Sequence, residues 1–189
     1  MNILARAAPV LWILSAFQPA AHAQAPAFTL GFVSQNGPIS GQAGFSFAAG
    51  FPIFLLRGIA LLPSLEFARL HHVGDDITIC DRLPDGSCLN PPPAESFLTP
   101  SMSLAIGPHL ESAWFFLGAG PALIHSLTSQ QAGVRTTFFT PQVEGGVQAR
   151  TGIGFWSVSL RWRRLDRWRP IAAKAEYSVL LTYRPLKLF

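Results

Sequence analysis

Charged residues are scarce in this sequence, and so are long apolar runs and cysteines. Asp, Glu, Lys and Arg make up 13% of the chain, about half the fraction found in ordinary soluble domains, while apolar residues make up 49%. Beyond the N-terminal segment, no stretch approaches the roughly 18 consecutive apolar residues that a membrane-spanning helix requires. A chain that is apolar overall without an apolar block is typical of membrane β-barrels, in which one face of each strand meets lipid.

The N-terminal segment predicts export. Arg6 precedes an apolar run over residues 8–17, and small residues then lead to a predicted cleavage point after Ala23. The run is too short to cross a bilayer as a helix. We therefore expect residues 1–23 to be a cleaved signal peptide and residues 24–189 to form one domain.

The two cysteines lie close together in a stretch that is typical of a loop. Cys80 and Cys88 are separated by Pro, Asp and Gly residues. In an exported chain we expect them to form a disulfide, which would stabilise the fold by roughly 2–3 kcal/mol by restricting the unfolded chain. Two thiols without further ligands nearby provide only half of a zinc shell, so no metal site and no cofactor are predicted.

Eight segments of about ten residues show the period-2 alternation of β-strands. The clearest runs from Trp156 to Trp162, where aromatic and aliphatic residues alternate with Ser157, Ser159 and Arg161. Connections between segments are alternately short and long, which is typical of outer-membrane barrels with short periplasmic turns and longer outer loops. The segments are residues 27–34, 45–53, 59–69, 98–106, 113–125, 137–149, 156–162 and 174–183.

The charged residues of these segments indicate which face meets lipid. A basic side chain near the bilayer midplane costs about 2–4 kcal/mol, and an acidic one less, so we expect the charged face to point inward. The interior of an eight-stranded barrel is just wide enough to be filled by side chains, which predicts a packed polar lumen without an open channel. The predicted lumen charge network comprises Glu66, Glu144, Arg161, Lys174 and Glu176.

Five prolines fall inside the predicted strands. Each removes a backbone hydrogen bond from a sheet that has no free edge, so we expect bulges or strand ends at these positions. The five are Pro52, Pro63, Pro100, Pro121 and Pro141.

The pattern resembles the small outer-membrane β-barrel family typified by OmpA and OmpX. The resemblance rests on the exported start, the alternating segments, the aromatic C-terminus, and residues Phe115–Leu123, which look like the aromatic-Gly-x-Gly-Pro strand of that family. It implies an all-β fold, an eight-stranded antiparallel up-and-down transmembrane β-barrel with a polar packed lumen, located in the cell outer membrane. The last strand departs from the family pattern because Pro185 and Lys187 interrupt the alternation before Phe189, so the signal read by the barrel-assembly machinery is expected to end at Phe189 or at Tyr183.

The main function hypothesis is a structural or surface-interaction role, in which the barrel displays loops for adhesion or envelope integrity without catalysis. One alternative is an outer-membrane lipid hydrolase similar to lipid A deacylases, using His125 with Ser126 and Glu144. Neighbours on a strand face opposite sides of the wall, and the His-x-Ser spacing of those enzymes is absent because Leu127 occupies the serine position. The other alternative is a secreted soluble lipocalin-like barrel with its apolar face inside around a ligand.

Basic and aromatic residues are interleaved at the end of the seventh segment. Export argues against nucleic acid as the partner, and an aromatic girdle with arginines at its rim is routine in outer-membrane barrels. A sharper hypothesis is that these side chains contact lipopolysaccharide phosphates through charge-assisted hydrogen bonds. The candidates are Arg163, Arg164, Arg167, Arg169, Trp162 and Trp168.

Overall fold

The computed structural model describes residues 25–36, 41–73, 94–128, 137–169 and 173–186, and it describes only the backbone of residues 72–73, 166–169 and 173–174. The predicted signal peptide and the predicted disulfide between Cys80 and Cys88 lie outside the described residues. Within the described part of the chain, no helix is long and apolar enough to cross a membrane.

The strands of the described residues form one antiparallel sheet that closes on itself. β1 pairs with both β2 and β9, and the remaining pairings lead from β9 back to β2 through β4. β2 and β3 occupy a single position in the wall, because Gly50 lies opposite Ser64 and Ile53 lies opposite Leu61 in the same register of β4. The result is a closed barrel of eight positions. The strands are β1 (Ala27–Asn36), β2 (Gly41–Gly50), β3 (Ile53–Leu56), β4 (Ile59–Val73), β5 (Glu95–Ile106), β6 (Ala113–Ser126), β7 (Thr137–Arg150), β8 (Gly154–Arg169) and β9 (Ala173–Pro185).

Seven of the eight predicted segments each lie within one strand, and segment 45–53 spans the end of β2 and the first residue of β3. The all-β barrel prediction is confirmed. The short connections at residues 57–58, 107–112 and 151–153 lie at one end of the barrel, which we call the lower end. β4 and β8 extend to Val73 and Arg169, further toward the upper end than the alternation indicated. The alternation of outward apolar and inward polar residues stops earlier than the strands because, near the upper end, inward residues such as Leu70 and Leu165 are apolar while Arg69 and Arg164 point outward.

The prolines interrupt the hydrogen-bond ladder but mostly keep its register. Pro52 separates β2 from β3, as expected of a strand end. Pro63, Pro100, Pro121 and Pro141 lie within continuous strands, so the prediction of bulges there was wrong. The β5–β6 ladder lacks the pairs of Pro100 and Pro121, yet its register is the same on both sides of each gap. A proline deletes the hydrogen bond to one neighbouring strand only, and the ladder on its other side maintains the alignment.

The pairing fixes the shear of the barrel, which is the residue offset after one full circuit. From Ser159, paired residues lead through Gly146 of β7 to Phe116 of β6. In the other direction they lead around the barrel to Ser126, which is also in β6. Ser126 is ten residues from Phe116, so the shear is ten residues. Closed eight-stranded barrels have strands tilted by about 35–45° and an interior filled by side chains. The intermediate partners are Leu180, Gly31, Ser46, Ala68 and Phe97.

The charged face of the strands points into the lumen and the apolar face points outward, as predicted. Glu66 and Arg161 are 1% and 5% exposed in the lumen, whereas the outward side chains of Phe45 and Leu160 are 75% and 64% exposed. A lipocalin-like barrel would have the opposite arrangement, so that alternative is excluded.

The lumen is packed and largely polar, as predicted, but two apolar clusters occupy part of it. The upper apolar cluster lies where the long connections begin, and the lower apolar cluster lies above the short turns. The alternation did not reveal them because apolar residues occur on both faces near the strand ends. The upper cluster comprises Val33, Leu70, Phe97, Ile124, Phe138 and Leu165, and the lower cluster comprises Ala60, Ala105, Trp114 and Phe116 with Phe54 and Leu62 against it.

The turn between β3 and β4 requires glycine at one position, which yields a stability prediction. Gly58 has a φ of +84°, and a Cβ there would lie 2.4 Å from the carbonyl oxygen of Gly107. We expect Gly58→Ala to lower the free energy of unfolding by about 1–2 kcal/mol, the cost of a left-handed non-glycine residue. Urea titration in detergent micelles provides the measurement. Gly152→Ala is the matched control, since nothing lies within 4 Å of its added Cβ, and an equal loss in both variants would contradict the assignment.

Candidate functional site

The middle layer of the lumen is built around one glutamate held between two arginines. Glu66 of β4 is 1% exposed, and its two carboxylate oxygens lie 2.5 Å from Nη2 of Arg161 and 2.7 Å from Nη2 of Arg163. Both arginines project from β8, two residues apart and therefore on the same face of the strand. The carboxylate is thus shared by two guanidinium groups in an interior from which water is largely excluded.

Arg163 extends this cluster to a second carboxylate. Its Nη1 lies 2.9 Å from Oε1 of Glu176, and its Nε donates to Oε1 of Gln142 at 3.0 Å. Gln35 donates to the other oxygen of Glu176 at 3.1 Å, and Gln142 donates to Ser103 at 2.8 Å. Two arginines and two glutamates therefore balance in charge, and neutral side chains occupy further hydrogen-bonding positions, as a buried network requires. We call these four charged residues the lumen network.

The ion pairs of Glu66 cross the barrel from one wall to the other. β4 and β8 are separated by three strands on one side, β5 to β7, and on the other side by β2, β1 and β9. They are therefore opposite each other, and the contacts of Glu66 with Arg161 and Arg163 tie the two walls together. Such pairs form only when pairing register and shear bring both residues to the same height.

Of the five charged residues predicted to face the lumen, the structure places three in the lumen network. Glu66, Arg161 and Glu176 meet in the lumen network. Glu144 faces the lumen below it, half-buried, and accepts a hydrogen bond from the hydroxyl of Ser159 at 2.7 Å. The side chain of Lys174 lies outside the described residues.

Arg163 was predicted to lie at the lipid-facing rim, and this prediction was wrong. It is 2% exposed and lies inside the barrel with Glu66 and Glu176. The run of basic and aromatic residues suggested a rim, but strand parity gives the right position. Because Arg161 points inward, every second residue after it does so as well, which places Arg163 in the lumen and Arg164 outside.

A cavity of about 90 Å³ lies between the lumen network and the lower apolar cluster. Arg161 and Glu144 line it together with Trp114, whose indole Nε1 makes no hydrogen bond within the described residues. This volume would hold about three water molecules at liquid density. Below the cavity, the guanidinium of Arg184 packs on Phe155 and Phe54, with 4.2 Å and 5.4 Å to the ring centroids.

The residues considered for lipid hydrolysis do not come together. His125 faces outward, where its Nδ1 lies 2.6 Å from Oγ1 of Thr137, while Ser126 is 5% exposed on the lumen side. Glu144 is on the lumen side, where it pairs with Arg161 in the register and is hydrogen-bonded to Ser159. A serine, a histidine and a carboxylate must be within hydrogen-bonding reach of one another for that chemistry, and these three are not. Among the described residues no three His, Cys, Asp or Glu side chains are grouped as a metal site requires.

The outward face near the upper end carries the remaining lipopolysaccharide candidates. Arg164 is exposed there, with Trp162 two residues below it on the same face of β8. The side chains of Arg167, Trp168 and Arg169 lie outside the described residues. Thr140 donates a side-chain hydrogen bond to the carbonyl oxygen of Arg164, next to Pro141, which has no N–H to donate.

The fold is that of the small eight-stranded outer-membrane barrels. No family model and no curated protein sequence matches this chain. Among solved structures, Neisserial surface protein A (NspA) matches with a TM-score of 0.58 at 12% identity, covering 85% of this chain and 94% of NspA. Ail, the attachment invasion locus protein of Yersinia pestis, has a TM-score of 0.48 at 10% identity, covering 85% of this chain and 96% of Ail. The outer membrane enzyme PagL has a TM-score of 0.44 at 12% identity, covering 83% of this chain and 98% of PagL.

Breaking the lumen network at Arg163 is expected to be strongly destabilising. Arg163→Met leaves Glu176 buried without its cation, and removing one partner of a buried ion pair typically costs about 3–5 kcal/mol. The double variant Arg163→Met with Glu176→Gln removes both charges and should recover part of this loss. Urea titration of each variant in micelles measures the free energies of unfolding.

Arg164→Met is the control for that series. The substitution is the same one residue along β8, but the side chain points outward, so we expect a change below about 1 kcal/mol. Equal losses for Arg163→Met and Arg164→Met would contradict the buried network. Strict additivity of the Arg163 and Glu176 substitutions would show that the two residues do not interact.

Proposed function

We propose that this chain is an integral outer-membrane barrel with a structural or surface-interaction role, exported through its N-terminal signal and displaying the long upper connections outside the cell. One observation carries the proposal. Among the outward-facing strand side chains that the structure describes, Arg69 and Arg164 are the charged ones, and both lie near the upper end. The surface below them is a continuous apolar band. Exposing such a band to water is unfavourable, whereas acyl chains solvate it.

Aromatic pairs support a membrane position for this band. Trp162 lies opposite Tyr177 near its upper border, and Trp156 lies opposite Tyr183 near its lower border. The rings of Trp156 and Tyr183 are 4.7 Å apart, and the Tyr183 hydroxyl donates to the carbonyl of Ile153 at 3.0 Å. Amphipathic rings at both borders are the girdles of outer-membrane barrels, in which the ring body meets lipid and its polar edge meets the interface.

The filled lumen favours display over transport. The upper apolar cluster, the lumen network and the lower apolar cluster follow one another along the barrel axis. The longest upper connection in the sequence, residues 74–93, contains Cys80 and Cys88 and carries the predicted disulfide. In this proposal, Arg164, Arg167, Arg169, Trp162 and Trp168 contact outer-leaflet lipid and lipopolysaccharide.

Fractionation tests the proposal as a whole. The chain should be recovered in the outer-membrane fraction and should migrate faster in unboiled than in boiled detergent gels, because the folded barrel stays compact. Recovery in the soluble periplasmic fraction would refute it.

A charge placed in the middle of the apolar band should reveal the lipid directly. Leu160 is 64% exposed on the outward face of β8. Leu160→Arg is expected to destabilise the barrel in phospholipid vesicles, lowering its free energy of unfolding by about 2–4 kcal/mol. Leu127→Arg is the matched control, because Leu127 is 51% exposed just above β6, where an arginine costs about 0–1 kcal/mol. Equal effects of the two substitutions would show that no lipid surrounds Leu160.

We propose that the assembly signal ends at Tyr183, within β9, and not at Phe189. Tyr183 pairs with Phe28 of β1 and contacts Trp156 of β8 where the barrel closes. Deletion of residues 186–189 should therefore leave outer-membrane insertion unchanged, whereas Tyr183→Ala should reduce it. Heat-modifiable migration in membrane fractions provides the measurement, and the reverse result would assign the signal to the terminal residues.

A further inference from the structure

We propose that a groove on the outward face between β6 and β7 holds one acyl chain of lipid A, the phosphorylated glycolipid of lipopolysaccharide, and that Arg164 binds its phosphate. The inference rests on the proposed outer-membrane location and assigns a particular site within it. The proposal is based on the position of an apolar depression in the outward face, which ends beside Arg164.

The groove arises from two prolines that face each other. Pro121 of β6 and Pro141 of β7 are directly opposite in the register, and with Gly120, Phe139 and Thr140 they border a shallow depression that is open to the outside. Phe139 is 73% exposed and rises from the wall two residues above Pro141. The compact proline rings leave space that longer side chains fill elsewhere in the band.

The space borders an interruption in the backbone pairing. Gly120, next to Pro121, pairs with the buried Gln142 and so faces the lumen side of the wall, which leaves the two proline rings on the outward side. The β5–β6 ladder also lacks the pair of Pro121 with Met102, because proline has no N–H to donate. Two compact proline rings and the exposed ring of Phe139 border the depression.

Arg164 lies at the edge of the groove. Gln142 pairs with Arg163, so the next residues toward the upper end, Pro141 and Arg164, are adjacent across β7 and β8. Thr140, which lines the groove, donates its hydroxyl proton to the carbonyl oxygen of Arg164 and so fixes this part of β8 against it. The guanidinium is exposed at the upper border of the apolar band, where the phosphates of outer-leaflet glycolipids lie.

The charge at this edge favours a phosphorylated lipid over a second copy of the chain. A two-fold related copy would bring a second Arg164 toward the first and so place like charges together. A lipid supplies an acyl chain for the apolar depression and an anion for the arginine. Guanidinium and phosphate groups match in geometry and form charge-assisted hydrogen bonds.

Native mass spectrometry of the detergent-solubilised full chain provides the test, with lipid A and dephosphorylated lipid A as the two probes. The parent should retain one tightly bound lipid A. Arg164→Gln should lower the affinity for lipid A roughly tenfold, the effect expected from one charge-assisted contact, and should leave dephosphorylated lipid A unaffected. Arg69→Gln is the matched control, because Arg69 is also exposed near the upper end but lies on β4, away from the groove.

Filling the groove separates the acyl contact from the phosphate contact. Pro121→Phe should reduce retention of both probes, whereas Val143→Phe, two residues below Pro141 on the outward face of β7, should reduce neither. Pro141→Phe serves as the filling variant if Pro121→Phe does not show the heat-modifiable migration of a folded barrel.

Three results would overturn the proposal: equal lipid A retention by Arg164→Gln and Arg69→Gln, retention unchanged by filling, or a concentration-dependent dimer in place of the lipid adduct. These outcomes differ from failure of the proposed function, in which the parent itself is absent from the outer-membrane fraction.

Discussion

The ion pairs that Glu66 makes across the lumen are the contacts on which the rest of the structure depends. They join β4 to the opposite strand β8, and they form only if every intervening pair has its observed register. A slip of one residue in any strand would turn its inward polar side chains toward lipid and its apolar ones into the lumen. Burying four charges contributes little net stability, because desolvation offsets most of the attraction, but breaking the set is costly. We therefore interpret the network mainly as a constraint on register.

The layers above and below the network increase this constraint. Phe97 and Leu165 belong to the upper apolar cluster, and Trp114 and Phe116 to the lower one, so apolar side chains lie on both sides of the charged middle layer. In such an environment each hydrogen bond is stronger and each unsatisfied group more expensive.

Much of this fold could be predicted from the sequence because a strand in a barrel wall alternates between two very different environments. Trp156 to Trp162 shows the alternation without exception, and it identified both the strand and its inward face. The assignment of Arg163 failed because it was based on the basic and aromatic composition of the run and not on the alternation of faces. Arg163 was placed with the rim arginines although it shares the inward face of Arg161. The luminal apolar clusters were missed because an inward phenylalanine such as Phe138 is the same residue type as an outward one such as Phe139, although strand parity with Gln142 distinguishes the two. The groove was missed for a different reason, since only the register shows that Pro121 and Pro141 face each other.

The central claim is that the apolar face of the wall meets acyl chains while the network is enclosed. Nuclear Overhauser effects measured along β8 in lipid nanodiscs test it most directly. The account predicts contacts from acyl methylene protons to the side chains of Trp156, Val158, Leu160 and Trp162, and none to Arg161 or Arg163. Contacts from water to the first set, or from acyl chains to the two arginines, would contradict it.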